Sequence, residues 1–271
     1  MFNLLNTNEC LEFTIATAKK AGNILIKNFG QIKKVEIKES GEPLTIADLK
    51  SEEFIISRIS DIYPKHGIIS EEGQNRNKNS DYIWFVDPLD GTTNYYHNVP
   101  FFCVSIGLEY KGQPVLGVVY DPIKMEMFSA VVGRGAYLKS KKITVSTNNK
   151  LRKSIIAAGF PSDKSSGNEV IRNFANIWKK CEGFRRDGSA ALDLCYVASG
   201  RYDGFWELNL KPWDTAAGMF ILQEAGGLIT DILGNDYNIF MDSIVASNGL
   251  IHKKLLHELN EKGKPSKSKT F

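Results

Sequence analysis

The sequence predicts a protein of two textures, an α+β half followed by an α/β half, with two sheets in one body and helices between and outside them. Three observations carry this. Amphipathic helical stripes occupy most of the chain up to Tyr63; strand-like runs broken by turn signals follow between Phe102 and Leu138; helix and strand patterns alternate after about Lys150. No repeat or low-complexity linker separates the textures. The chain therefore reads as one compact unit: an α+β half over 1–145, an α/β half over 146–262 and a flexible tail over 263–271.

Each element has a local reason. From Thr7 to Phe29, Leu11, Ile15, Ala18, Gly22, Leu25, Ile26 and Phe29 recur at three- and four-residue steps, a single helical stripe that Gly30 ends. A second helix runs from about Ala47 to Tyr63, with Phe54, Ile55, Ile59 and Ile62 facing inward and Pro64 closing it. His66 to Ser70 and Tyr82 to Val86 read as strands. The turn signals Lys111-Gly112, Asp121-Pro122 and Gly133-Arg134-Gly135 divide the next stretch into an antiparallel meander. Then come a strand at Ser154 to Ala158, helices at Asn168 to Trp178 and Gly188 to Val197, and a strand carrying Glu207. A helix from Trp213 to Ala225, strands at Gly227 to Thr230 and Ser243 to Ser247, and a closing helix from Leu250 to Leu259 complete the order.

Composition excludes several function classes. Hydrophobic residues make up 42% and charged residues 24% of 271, the balance of an ordinary globular protein. The net charge of +3, with part of the excess in the tail at Lys262, Lys264, Lys267 and Lys269, does not predict a polyanion partner, so no direct nucleic-acid binding is expected. Cys10, Cys103, Cys181 and Cys195 are far apart and form no Cys-x-x-Cys pair, which predicts reduced thiols in or near the core of a cytoplasmic protein. The N-terminal stretch lacks a basic leader and apolar core, and no apolar run approaches the ~20 residues that span a bilayer. A soluble chain with no membrane partner is expected.

Candidate chemistry gathers at four element ends. The stretch from Trp84 to Tyr95, WFVDPLDGTTNYY when Tyr96 is included, begins as a strand and ends as a helix start, with Asp87 and Asp90 at the join. Asp48 opens the second helix, Glu71 and Glu72 end a strand, and Asp214 opens the Trp213 helix. Each has a structural explanation: Asp87 can cap its own turn, Asp48 and Asp214 suit a helix N-terminus, and Glu71-Glu72 can be a solvated turn. Together they point elsewhere, since neighbouring acids repel unless a cation sits among them, and hard divalent cations choose carboxylates and carbonyls. Asp87 and Asp90 can turn to a common point with the Leu89 carbonyl between them. Gly91 then lets backbone approach a ligand, and the free N–H groups at Thr92-Thr93-Asn94 can receive a phosphate. Metal-assisted phosphate chemistry fits this junction. The chain has no P-loop, complete dinucleotide fingerprint or serine-hydrolase elbow, and His66, His97, His252 and His257 lack zinc spacing and read as surface or half-buried residues.

The motifs LTIAD, ISEEG, WFVDPLDGTTNYY, RRDGSAALDLCYVASGRYDGFWE and KPWDTAAG, in that order, resemble the magnesium-dependent inositol monophosphatases of the lithium-sensitive phosphatase superfamily over about residues 8 to 260. The resemblance implies a five-layer αβαβα sandwich of the sugar-phosphatase type, usually as a homodimer, that binds two or three Mg2+ ions and is inhibited by lithium. It makes Glu71, Asp87 and the Leu89 carbonyl ligands of a first metal and Asp87, Asp90 and Asp214 those of a second, with Glu71 sharing a weaker third site. Thr92, paired with Asp48, would position the attacking water, and the Gly91 and Thr92 amides would receive the phosphate. Asp90, the backbone around Ser189 and Ala190, and Glu207 would meet substrate hydroxyls, with Asp214 close by. The chain departs from many relatives at Glu42, in Lys38-Glu39-Ser40-Gly41-Glu42, where they have Asp, which touches the reach of that loop. Trp206 and Tyr95-Tyr96 read as core, while Arg185 and Arg186 are open between site, subunit interface and solvent.

The reaction so implied is hydrolysis of inositol monophosphate and related polyol or sugar phosphates, a small-molecule phosphate monoester being the partner. Fructose-1,6-bisphosphatase, as sole or dual activity, and a 3′-phosphoadenosine 5′-phosphate nucleotidase are the enzymatic alternatives. Thr93-Asn94-Tyr95, in place of the Lys-Glu-Phe usual in nucleotidases, favours the inositol branch. A regulator that binds the transcription machinery is the non-enzyme alternative.

Overall fold

The computed structural model describes residues 6–31, 35–38, 41, 43–160 and 167–261. Glu42 and the tail lysines lie outside the described residues. The first half contains helices α1 (Thr7–Asn28) and α2 (Ile46–Ile62), a short ribbon β1 (Glu36–Ile37) and β2 (Pro43–Leu44), and one sheet. That sheet has seven strands in chain order: β3 (Gly67–Ser70), β4 (Tyr82–Asp90), β5 (Cys103–Tyr110), β6 (Gln113–Asp121), β7 (Glu126–Val131), β8 (Ala136–Leu138) and β9 (Lys141–Ile143). Only β3 and β4 run parallel; the rest is the meander that the turn spacing predicts. The one-turn helix α3 (Thr92–Tyr96) follows β4.

The second half contains β10 (Ile155–Ala158), α4 (Gly167–Trp178), β11 (Gly183–Arg185), α5 (Ala190–Ala198), β12 (Gly204–Leu208), α6 (Pro212–Glu224), β13 (Leu228–Thr230), β14 (Ser243–Ser247) and α7 (His252–Asn260). Its five-stranded sheet has the order β11-β10-β12-β14-β13, with β10 parallel to both neighbours and β14 antiparallel to both of its own. Helices α1 and α2 cover one face of the seven-stranded sheet, α5 and α6 fill the space between the sheets, and α4 and α7 cover the far face. The five layers are α, β, α, β, α, with an apolar core in each of the spaces on either side of a sheet. The middle layer sits close: a Cβ on Gly117 of β6 would lie 2.5 Å from the Ala217 carbonyl oxygen of α6, so glycine there sets the depth of α6 and of Asp214 at its start.

Several sequence readings shift. The buried stripe of α1 runs through Cys10, Thr14, Thr17, Ala18, Ala21, Gly22 and Leu25, while Leu11 and Ile15 are half-buried and Ile26 is exposed. Thr14 and Thr17 enter the stripe because their hydroxyls donate to the carbonyls of Cys10 and Phe13 one turn back, which satisfies them without water. On α2, Ile56 takes the inner position read for Ile62, which is exposed in the last turn. The ribbon β1–β2 and strand β11 were not predicted, since two- and three-residue strands leave no periodic signal. His252 is buried, not half-buried: Ser247 and Thr230 hydroxyls bracket its ring nitrogens at 2.8 and 3.0 Å. The cysteines are unbridged, and Trp206 and Tyr95 are core residues. Among the described residues no helix is long and apolar enough to cross a membrane.

Candidate active site

The join between β4 and α3 places both aspartates by a bulge. Residues three apart on a regular strand point to opposite faces. Here Asp87 pairs with Ser105 and Asp90 with Cys103, so three steps on β4 oppose two on β5. The extra residue resets the alternation and brings Asp87 and Asp90 to one side. Pro88 sits in the bulge, where it needs no ladder donor, and its carbonyl accepts from Ser51 of α2 at 2.9 Å. Asp87 does cap the turn, accepting from Leu89 N at 3.0 Å, but Asp90 is half-buried at the cleft and not a free surface acid. It accepts from Ser189 Oγ at 2.7 Å and Ala191 N at 2.8 Å, which ties the first sheet to the start of α5. Gly91, at φ +99°, completes the turn; a Cβ would lie 3.0 Å from the Phe101 carbonyl oxygen.

This join forms one wall of a cleft of about 480 Å3. Glu71, Asp87, Leu89, Asp90, Gly91 and Thr92 line it from the first half, and Ser189, Ala190, Glu207 and Asp214 from the second. Every site residue read from the sequence is therefore at the cleft except Asp48, which is buried behind Thr92. Asp48 is both helix cap and site residue. Its Oδ2 accepts from the backbone N and hydroxyl of Thr45 at 2.8 and 2.5 Å, and its Oδ1 lies 3.1 Å from Thr92 Oγ1. Asp214 likewise accepts from Lys211 N at 2.7 Å, which fixes the carboxylate at the first turn of α6.

Burial and mutual repulsion dominate the electrostatics. Burial first, then Glu71 and neighbouring aspartates, push the Asp87 carboxyl well above its ordinary range; burial and then Glu71 do the same to Asp214. Burial raises Asp48 to about 6 and Asp90 to about 6, the latter despite its bonds from Ser189 and Ala191. Burial and then Asp90 raise Glu207 to about 8. Glu71 and Glu72 are not a solvated turn: Lys38 Nζ reaches their Oε1 atoms at 2.8 and 2.7 Å. Burial alone would lower the Lys38 pKa, and these two partners raise it instead. The donor set of Glu71, Asp87, Asp90 and Asp214 carboxylates with the Leu89 carbonyl is all oxygen and strongly anionic, which fits a hard divalent cation.

Three contributors escaped the sequence reading. Gly159, just after β10, packs against Glu207 so closely that a Cβ would fall 1.8 to 1.9 Å from its carboxylate atoms. Asp193 of α5 lines the cleft; the one visible signal was an acid inside the apolar run AALDLCYVA. Lys38, which in the sequence is only the lysine before Glu42, pairs with Glu71 and Glu72. Arg186 lines the cleft, while Arg185 is exposed and does not. Outside the cleft, His257, Glu258 and Glu261 have ligand atoms within 4.8 Å of one another at the end of α7, a grouping that the histidine spacing had not predicted.

Comparison with known proteins agrees with this architecture. Nus factor SuhB of Escherichia coli is 40% identical over 255 residues, covering 93% of this chain and 96% of that protein. Inositol-1-monophosphatase of Mesorhizobium japonicum is 39% identical over 250 residues, covering 91% and 94%. The crystal structure of extragenic suppressor protein suhB from Bartonella henselae superposes with a TM-score of 0.90 at 39% identity, covering 94% of this chain and all of that one. Residues 6–264 match the inositol monophosphatase family, and with these relatives spanning nearly the whole chain, the protein belongs to that family.

Proposed function

We propose that this chain is a magnesium-dependent phosphomonoesterase that hydrolyses inositol monophosphate and related polyol phosphates. The observation that carries the reading is the convergence, in one cleft, of an all-oxygen acidic cluster with the Thr92–Asp48 pair. Magnesium, held by Glu71, Asp87, Leu89 O, Asp90 and Asp214 as two or three ions, would neutralise the acids, lower the pKa of a water and stabilise the leaving oxygen. The protein's own groups do the rest. Thr92 Oγ1 is within reach of both Asp48 Oδ1 and the Leu89 carbonyl oxygen, at 3.1 and 2.9 Å, yet has one proton. When the Thr92 hydroxyl donates to Asp48 Oδ1, its oxygen keeps a lone pair with which to accept a hydrogen bond from the attacking water and aim it. The Gly91 and Thr92 amides hold the phosphate, and Asp90, Ser189, Ala190 and Glu207 receive the hydroxylated leaving group. Phosphate release from polyol, sugar and nucleotide phosphates, with and without chelator, tests the reading; no release from any ester in excess Mg2+ overturns it.

A second reading is favoured by the name Nus factor carried by relatives 40% identical: a binding role in transcription, alone or beside catalysis. Pull-down from native lysate with wild type and with a catalytically dead variant separates the two. The same preparations, run on size-exclusion chromatography with light scattering, test the homodimer implied by the family.

A further inference from the structure

Helix α5 is buried along its whole length, Ala190 to Ala198, and Asp193 is its one charged side chain. Asp193 is 1% exposed and lines the cleft, yet its Oδ1 has no hydrogen-bond partner. Two of the acids around it have donors within the chain: Asp187 accepts from the Tyr202 hydroxyl at 2.6 Å, and Asp90 from Ser189 and Ala191. A buried carboxylate oxygen left without a donor destabilises the fold, and an apolar side chain of similar size would suit the neighbouring leucines and alanines better. Nothing in the packing of α5 calls for an acid at this position. The missing donor has one route in, the cleft itself.

Its chemistry is limited by what stands nearby. Glu207, Asp187 and Asp90 all act on Asp193 electrostatically, and the Arg186 guanidinium acts on both Asp193 and Glu207. An entering phosphate would meet three acids, and an ammonium, though drawn by those acids, would have to sit beside that guanidinium. A neutral hydroxyl meets neither objection. The cleft edge here is formed by the ends of β11, β10 and β12, and Gly159, lacking a side chain, lets the Glu207 carboxylate pack against its backbone.

We propose that Asp193 is a specificity-determining residue that accepts a hydrogen bond from a hydroxyl of the leaving alcohol, a second one beside that taken by Glu207, so that the cleft selects polyhydroxylated leaving groups over monohydric ones. The proposal rests on the phosphatase reading and goes beyond it in naming a requirement for more than one hydroxyl. It is tested by comparing inositol 1-phosphate with cyclohexyl phosphate, which has the same ring without the free hydroxyls, in wild type and Asp193→Asn. The expected result is a fall in the kcat/KM ratio of the two substrates by roughly 10- to 100-fold in the variant, with an unfolding midpoint unchanged or raised. Deoxy analogues of inositol 1-phosphate give an independent readout: one hydroxyl deletion should weaken the wild type and leave Asp193→Asn indifferent. A ratio unmoved within twofold overturns the proposal, as does a variant that unfolds or loses both substrates equally. If wild type hydrolyses neither ester, the phosphatase reading itself has failed.

Discussion

Thr92 and Asp48 meet through a single hydroxyl: Oγ1 of Thr92 lies 3.1 Å from Asp48 Oδ1, while the other oxygen of Asp48 is held by the Thr45 amide and hydroxyl. The helix cap of α2 thus fixes the orientation of a cleft residue from another layer. If this pair aims a water, Thr92→Ala should lower kcat by about 10²–10⁴-fold and leave KM nearly unchanged, because an aimed water matters in the transition state and little in ground-state binding. Thr93→Ala, altering an exposed neighbour, is the control. Near-wild-type turnover of the Thr92 variant would reduce its hydroxyl to a helix-start group.

Asp87 is buried, and Glu71, Asp90 and Asp214 all act on it as repelling neighbours. Asp87→Asn should therefore cost turnover on the order of 10³-fold or more, yet raise the thermal midpoint measured in chelator. In a chain of this size about 1 kcal/mol corresponds to about 2–4 °C. Calorimetry with and without Mg2+ checks both halves. A lower midpoint in chelator would mean that the carboxylate is needed for the fold itself.

How much of this could be read beforehand follows from the range of the interactions involved. Asp87, Asp90, Glu71 and Asp214 were legible because turn chemistry, strand ends and helix starts are local. The layer order came with the motifs, since composition and periodicity give two sheets but not their stacking. Asp193 and Gly159 were not legible: one is an acid in an apolar helix, the other a glycine after a strand, and each acquires meaning only when β12 brings Glu207 beside it. Likewise the inner stripe of α1 was misread because Thr14 and Thr17 look polar until their hydroxyls bond the preceding turn.

The raised carboxyl pKa values predict how metal-free stability depends on pH. Glu207 rises from 4.5 to about 8, and Asp87 and Asp214 rise well above 3.8. The folded state thus binds more protons than the unfolded one as these groups titrate, so stability falls as pH rises from about 4.5 to about 8. Midpoints in chelator at pH 5, 6, 7 and 8 should decrease in that order. Added Mg2+ should offset most of the loss at high pH, by about 2.7 kcal/mol at a hundred times its Kd. A flat or rising series would show the acids to be compensated within the chain.

The Glu207 carboxylate rests on Gly159, whose Cβ would overlap it at 1.8 to 1.9 Å, so Gly159→Ala must move it. Assayed above about pH 8, where Glu207 is ionised, Glu207→Gln and Gly159→Ala should then both weaken use of inositol 1-phosphate far more than use of p-nitrophenyl phosphate, the first by removing a charge-assisted acceptor of ~1.5–3 kcal/mol and the second by displacing it. Equal losses on both substrates would assign Glu207 to the metal cluster or the fold instead. The same acids forecast the substrate ranking of the unmutated protein. Above about pH 8, where Glu207 is ionised, a second phosphate at this end of the cleft would face Glu207 and Asp90, so inositol 1-phosphate should there exceed 3′-phosphoadenosine 5′-phosphate and fructose 1,6-bisphosphate in kcat/KM. A higher value for the nucleotide would move the chain to the nucleotidase branch, and a higher value for the sugar bisphosphate to the bisphosphatases. Either outcome would point to Arg186 or Lys211, the cations that line the cleft, as the partner of the second phosphate, and Arg186→Ala and Lys211→Ala would tell which.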